Sequence, residues 1–304
     1  MTRTMAKLAA IAVLSALAAV PAAAAPLPVV ATFSVLGDLV HQVGGDDIAL
    51  VALVPPGGDA HVYQPRPGDA KAVAAARVVV VNGLGMEGWL DRMIAASGTR
   101  ATVVVASRGV AARTMAAEGE RTPSASATVA DPHAWQDVAN ARIYVRNIAA
   151  GLAAADPAHA SDYLRRAAAY DRQLADLDAW VRREIVKVPP AKRKIITTHD
   201  AFGYFGAAYG VSFLAPEGIS TESEPTAAGL GRLAAQVRRE HIRALFVETM
   251  SDPRVMRTLA EDSGAVLGGA VYSDSLSPPT GPAPTYVAMF RHNVPAFVAA
   301  MLQN

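Results

Sequence analysis

The chain has 304 residues and no cysteine, and its 28 Lys and Arg against 27 Asp and Glu leave a formal net charge of +1 at pH 7. A balance this even, with no basic stripe, argues against a nucleic-acid partner. The missing thiols exclude disulfides and the cysteine on which a bacterial lipid anchor is built.

Residues 1–25 read as a secretory signal peptide. Arg3 and Lys7 give a positive start, Leu8 to Val20 form an uncharged apolar run, and Pro21 to Ala25 supply small residues for cleavage near Ala24. The run is shorter than the roughly 20 residues that span a membrane comfortably. The mature chain is therefore expected to be soluble, periplasmic, monomeric and not lipid-anchored. About 280 residues remain, enough for two lobes or one large α/β domain whose core needs no metal to fold. Any metal site is then there for function.

Beyond the signal, short β-branched runs alternate with amphipathic ones. Pro28 to Phe33, Ile48 to Val54, Val78 to Val81 and Thr102 to Val105 read as strands, with helices at Val35 to Val43 and Pro67 to Ala76. Ala112 to Ala130 is small, polar and without period, a surface loop. Asn140 to Ala154 is helical in pattern, and Asp156-Pro157 interrupts it. From Pro157 to Val186 the chain then runs without internal Gly or Pro. Tyr163, Ala167, Tyr170, Leu174, Leu177 and Val181 share one face, which predicts a rod of roughly 45 Å. Pro189-Pro190 stops it.

A second alternating series follows, with strands at Ile195 to Thr198, Val211 to Leu214, Ala244 to Val247 and Ala265 to Tyr272. Its helices are Ala201 to Tyr209, Thr226 to Glu240 and Pro253 to Ser263. The expected architecture is α/β: two similar lobes, each a mainly parallel sheet flanked by helices, joined by one long rigid helix. The boundaries are residues 26–156 for the N-terminal lobe, 157–188 for the linking helix and 189–304 for the C-terminal lobe. A rod behind both lobes permits small movements rather than wide closure.

Seven histidines occur, and three sit beside turn residues in loops. His61 follows a strand in Gly57-Gly58-Asp59-Ala60-His61. His133 lies in Asp131-Pro132-His133-Ala134-Trp135, and His199 directly follows Ile195 to Thr198. Asp274 stands after a strand in Tyr272-Ser273-Asp274-Ser275-Leu276. Ligands of open α/β sheets bind beyond the carboxyl ends of the strands, where three of these four stand. The spacings of 72, 66 and 75 residues place each in its own βα block, two per lobe. Three imidazoles and a carboxylate suit a tetrahedral zinc shell, and a richer oxygen set would suit manganese better. Singly, each has an ordinary alternative: a solvated turn histidine, or a helix cap at Asp274. His41, His159, His241 and His292 lie within helical patterns and read as surface or core residues. Asp59, Glu222 and Glu248 are candidates to orient the ligand imidazoles from behind. Trp135 and Tyr63 are expected to cover the site.

At these residues the chain resembles the periplasmic zinc- and manganese-binding proteins of ABC transporters, the zinc-uptake and adhesin-like family (cluster A-I), and within it the AztC-type zinc binders. The likeness is carried by Val30 to Phe33, Asp59 to Pro65, Asp131 to Trp135, Thr198 to Phe205, Gly218 to Glu222 and Tyr272 to Leu276. It implies a rigid two-lobed fold holding one ion between the lobes, with the ligands at His61, His133, His199 and Asp274. Manganese and iron members tend to carry Glu at the third position, so His199 tilts the expectation to one zinc ion per chain as transported cargo. The implied partner is an ABC permease in the inner membrane. Many zinc members also carry a His-rich loop, and Ala112 to Ala130 contains no His, which leaves loading by a separate metallochaperone open.

The expected function is thus capture and delivery of zinc, without catalysis. The alternatives are a manganese- or iron-binding protein of the same family and a periplasmic zinc hydrolase, for which no His-Glu-x-x-His motif is present. Binding should weaken as pH falls through about 6. Release is expected to begin at Asp274, because it lies in a loop.

Overall fold

Runs of valine between polar turns form the centre of the first sheet. The structure, a computed structural model, describes residues 25–116, 128–218, 221 and 225–304. The expected signal peptide therefore lies outside the described residues, all but its last position.

The chain opens with β1 (Leu27–Phe33), α1 (Ser34–Gly44), β2 (Ile48–Val54), α2 (Pro67–Ala75), β3 (Val78–Val81), α3 (Leu90–Ser97) and β4 (Thr102–Val105). The four strands are parallel, in the order β2-β1-β3-β4. All four valines of β3 are buried, as a central strand covered on both faces requires. Edge strand β2 instead alternates between buried and exposed positions.

Next come a small antiparallel pair, β5 (Thr114–Ala116) and β6 (Thr128–Ala130), then α4 (Val138–Ala155) and α5 (Ala160–Ile185). The C-terminal lobe holds β7 (Lys194–Ile196), α6 (Gly203–Tyr209), β8 (Ser212–Leu214), α7 (Ala227–Arg239), β9 (Ala244–Glu248), α8 (Pro253–Ser263), β10 (Val266–Val271) and α9 (Tyr286–Met301). Its sheet is again parallel, in the order β10-β9-β7-β8.

Both sheets reverse their winding direction next to their first strand, between β1 and β3 and between β7 and β9. At such a switch point the loops leaving the carboxyl ends part and open a crevice. The long helix α5 buries Tyr163, Ala167, Tyr170, Leu174, Leu177, Val181 and Ile185, the face that its periodicity marks. At 1.5 Å per residue its 26 residues make a rod of roughly 39 Å, a little shorter than expected because Pro157–His159 forms a separate 3-10 turn.

Three elements differ from the sequence reading. The stretch Ala112 to Ala130, expected as a loop, is paired at both ends through β5 and β6, with residues 117–127 outside the described set. Helix α3 is short and its apolar stripe narrow, with Leu90 and Met93 buried. Helix α9 carries Pro295 in its interior, the ordinary mark of a helix end.

Helix α9 nonetheless ties the molecule together. It packs on α5, on α1 and on β7, β9 and β10 of the second sheet. Its Phe297 is fully buried amid the rings of Phe202, Phe205, Phe213 and Phe246. Truncation there leaves a hole ringed by aromatic side chains that cannot collapse into it. Phe297→Ala is expected to lower stability by about 3–5 kcal/mol, read from the urea midpoint. A loss below about 1 kcal/mol would mean that α9 is peripheral.

Candidate metal centre

Each of the four singled-out residues stands on a short, internally bonded loop. His61 follows β2 through a Gly-containing turn in which the Gly58 N–H donates to the Pro55 carbonyl (2.9 Å). The His61 N–H then donates to Asp59 Oδ1 at 2.9 Å. His133 follows β6, and its N–H donates to Asp131 Oδ1 at 3.0 Å before the chain turns through Ala134–Gln136. His199 comes just after β7, and its N–H donates to Glu248 Oε1 at the end of β9 (2.9 Å). Asp274 comes just after β10.

The structure brings these four side chains to one point. His133 Nε2 lies 3.2 Å from His61 Nε2 and 3.3 Å from His199 Nε2. Asp274 Oδ2 lies 3.2, 3.6 and 3.1 Å from Nε2 of His61, His133 and His199 respectively. Four atoms set about 2.0–2.1 Å from a common ion in tetrahedral geometry stand roughly 3.3–3.4 Å apart. The observed edges bracket that value. His133, His199 and Asp274 are fully buried, and the His61 side chain retains 5% exposure, so the site meets solvent on the His61 side.

Two of the three imidazoles are backed by carboxylates. Asp131 Oδ1 lies 2.8 Å from His133 Nδ1, and Glu248 Oε2 lies 2.8 Å from His199 Nδ1. The Asp131 hydrogen bond keeps a proton on His133 Nδ1 and turns its Nε2 lone pair towards the centre, while Glu248 stands at ion-pair distance from His199 Nδ1. Glu248 is itself held by the Ser273 hydroxyl, and its N–H donates to Thr198 Oγ1 at 3.2 Å.

This cluster of lone pairs and negative charge attracts protons. Burial opposes charge on His133, but the Asp274 carboxylate, with Asp131 behind it, pushes the imidazole up to about 9. His199 moves the same way: burial opposes its charge, and Glu248 and Asp274 raise it well above the ordinary histidine range. Burial alone would raise Asp274, yet the facing His133 and His199 hold it well below the usual carboxylate range.

Glu248 stands where the sequence reading put it, behind a ligand-type imidazole. Asp59 does something else: its Oδ1 takes the His61 backbone N–H and its Oδ2 accepts the Thr221 hydroxyl (2.7 Å) from the other lobe. Glu222 lies outside the described residues. Asp131 was missed, although an Asp two residues before a histidine is the spacing at which one carboxylate reaches both that residue's N–H and its ring. Trp135 is fully buried, its ring 5.4 Å from that of His133. Tyr63 turns away, donating to Asp69 (2.8 Å) and packing on Trp89.

The Asp274 loop is pinned from both sides. The Ser273 carbonyl accepts Trp135 Nε1 (3.1 Å) and Gln136 Nε2 (2.9 Å). Ser275 Oγ accepts the Gly57 N–H (2.7 Å), and the Leu276 N–H donates to Ser34 Oγ (3.0 Å). A weak, loop-borne Asp274 does not fit this bonding.

Similar proteins share this frame. The manganese-binding lipoprotein MntA of Halalkalibacterium halodurans is 34% identical over 277 residues, covering 91% of this chain and 89% of its own. The iron-binding protein YfeA of Yersinia pestis is 30% identical over 266 residues, with 88% and 83% covered. The structure of the periplasmic zinc-binding protein TroA from Treponema pallidum superposes with a TM-score of 0.82 at 30% identity, over 91% of this chain and 99% of that one.

One expectation is corrected by such relatives, that of a protein without a lipid anchor. MntA is a lipoprotein by name, and so are relatives from Streptococcus mutans, Streptococcus pneumoniae and Bacillus subtilis at 30%, 32% and 29% identity. The expectation rested on the absence of cysteine from these 304 residues. That absence describes one attachment chemistry and does not decide where a chain is held. Residues 29–300 match the family described as zinc-uptake complex component A, periplasmic (ZnuA), and the chain belongs to that family.

Proposed function

We propose that this chain captures one divalent transition-metal ion with His61, His133, His199 and Asp274, with zinc as the preferred cargo, and delivers it to an ABC permease in the inner membrane. The observation that carries this reading is the meeting of three Nε2 atoms and one carboxylate oxygen within 4.8 Å of one another, five of the six edges at 3.1–3.6 Å, with at most 5% exposure of any of the four side chains. Three neutral imidazoles and a carboxylate match zinc in donor type and in number. Four protein ligands leave no open position for a reactive water, so the role is binding rather than hydrolysis. The lobes, residues 26–156 and 189–304, hold the ion between them, braced by the helix at 157–188, without a large hinge motion.

A second reading, manganese or iron as cargo, has its own support. MntA and YfeA carry those metals in their names. Among the described residues no backbone N–H or hydroxyl donates to either oxygen of Asp274. Both are thus free to bind, giving a fivefold, oxygen-richer shell of the kind that manganese tolerates.

Metal analysis of protein purified without added metal should return one zinc per chain, and competition calorimetry should rank zinc far above manganese. Comparable affinities would move the assignment to the second reading. Losing a partner behind a ligand typically costs 10–100-fold in affinity, so His199→Ala is expected to cost more than roughly 100-fold. Retained affinity in His199→Ala would reject the site.

Protons compete with the metal for this site, and the raised His133 moves that competition above the ordinary histidine range. Protonated His133 beside Asp274 stabilises the metal-free fold fully below 6.5, and this contribution fades as pH rises through about 9. Metal must displace that proton, so apparent affinity should climb by about tenfold per pH unit for each proton displaced, up to about pH 9. The gap between the melting temperatures of zinc-loaded and metal-free protein should widen over the same range. A gap that is flat above pH 7 would contradict the shift.

A further inference from the structure

Next to the site, Asn82-Gly83-Leu84-Gly85-Met86-Glu87-Gly88-Trp89 runs from the end of β3 to the start of α3. Three successive residues, Gly83, Leu84 and Gly85, have φ of +82°, +57° and +84°, a region that favours glycine and that Leu84 occupies all the same. At Gly83 a Cβ would stand 2.7 Å from Val105 Cγ1, so the turn is packed as well as bent. Glu87 closes it. Its Oε1 accepts the Thr32 hydroxyl of β1 and the Asn82 N–H, each at 2.6 Å, and its Oε2 accepts the Gly83 N–H at 3.2 Å.

The two ends of this loop reach the two histidine segments of the N-terminal lobe. Asn82 Nδ2 donates to the Pro132 carbonyl at 2.9 Å, while Asn82 Oδ1 accepts the Tyr144 hydroxyl at 2.6 Å. Trp89 Nε1 donates to the Ala60 carbonyl at 2.9 Å. Pro132 and Ala60 are the residues directly before His133 and His61. The N–H on the far edge of each of these peptide planes is held too, by Asp131 for His133 and by Asp59 for His61. A peptide unit is rigid, so fixing both its edges fixes the direction in which the next Cα carries its side chain.

We propose that the loop Asn82–Trp89 is the positioning element for the N-terminal half of the metal site: it sets the separation of His61 and His133 by holding the peptide ahead of each. Glu87 clamps the loop, and Asn82 and Trp89 are its two contacts. None of the three touches the ion. The inference rests on the proposed role of the histidines and adds to it the parts that bring two of them to 3.2 Å in advance of binding. A site assembled in advance loses less order on capture and releases its ion more slowly.

The test uses Trp89→Phe, Glu87→Ala and Glu87→Gln in the full chain. Zinc affinity is measured against a competing chelator, zinc release by stopped flow, the visible spectrum on the cobalt-substituted protein, and melting on the metal-free protein. Trp89→Phe keeps a ring against Tyr63 and removes the indole N–H. It and Glu87→Ala are expected to weaken zinc binding by about 10–100-fold, chiefly through faster release, and to alter the cobalt bands. Glu87→Gln, whose amide oxygen still accepts from Thr32 and Asn82 and which gives up the longer Gly83 contact, should restore affinity to within about threefold of the parent. Should Trp89→Phe fail to fold, the two Glu87 variants decide alone. Parent-like affinity and cobalt spectrum in Trp89→Phe and Glu87→Ala would overturn the proposal. So would an affinity loss that only tracks the melting temperature and is not rescued by Glu87→Gln. Absence of tight zinc binding in the parent, or its survival in His133→Ala, would instead reject the metal site itself.

Discussion

Three imidazole nitrogens and a carboxylate oxygen held within 4.8 Å of one another, five of their six separations between 3.1 and 3.6 Å and three of the four side chains fully buried, require a positive charge among them. At such separations lone pairs and a buried anion repel, and an unpaired carboxylate in the interior costs several kcal/mol. Protons on His133 and His199 meet that need in the metal-free protein, and a divalent cation meets it better. The surrounding structure keeps the four donors from drifting apart. Asp131 and Glu248 face the Nδ1 atoms of His133 and His199, so the lone pairs point inward.

The same requirement explains why the two lobes are tied to one another beside the site. Trp135 and Gln136 reach from the His133 segment to the Ser273 carbonyl, one residue before Asp274. The Gly57 N–H bonds Ser275, and Thr221 bonds Asp59. Each link ties a loop that carries one of the four residues to the opposite lobe. Helices α5 and α9 brace the back, where the main hydrophobic core runs through both lobes without a break. A cleft built this way sets its donor separations by covalent geometry and packing rather than by closure on the ion.

Much of this frame is legible in the sequence because burial leaves a period. Strands β2, β3 and β4 and helix α8 begin and end where the valine runs and the Pro253 and Gly264 signals put them. The buried face of α5 follows from its apolar spacing. Helix α9 is hidden because it is apolar on most sides and holds Pro295, so neither an amphipathic stripe nor a clean stop signal marks it. At the site, His61, His199 and Asp274 stand out by position after strands, and His133 by its turn residues ahead of a helical stretch. Asp131 and Asn82 do not, since an Asp before a Pro and an Asn before a Gly read first as turn residues. What separates a turn from a positioning contact is the partner, and the Pro132 carbonyl lies 50 residues from Asn82. Separations of that kind leave no local pattern.

The bonding around Asp274 bears on how a held ion leaves. A loop position suggests weakness when loops are taken as free chain, and this one is not. Its carbonyl at Ser273, its hydroxyl at Ser275 and its N–H at Leu276 are all engaged by the opposite lobe. Moving Asp274 away means breaking several buried hydrogen bonds together, each worth about 1 kcal/mol net and more if a partner is stranded. His61 stands differently. It is the one member of the four with solvent access, and its loop meets the other lobe through two half-buried bonds, the Thr221 hydroxyl on Asp59 and the Gly57 N–H on Ser275. On these contacts the resistance to opening is lowest at the His61 side, where fewer buried groups have to part.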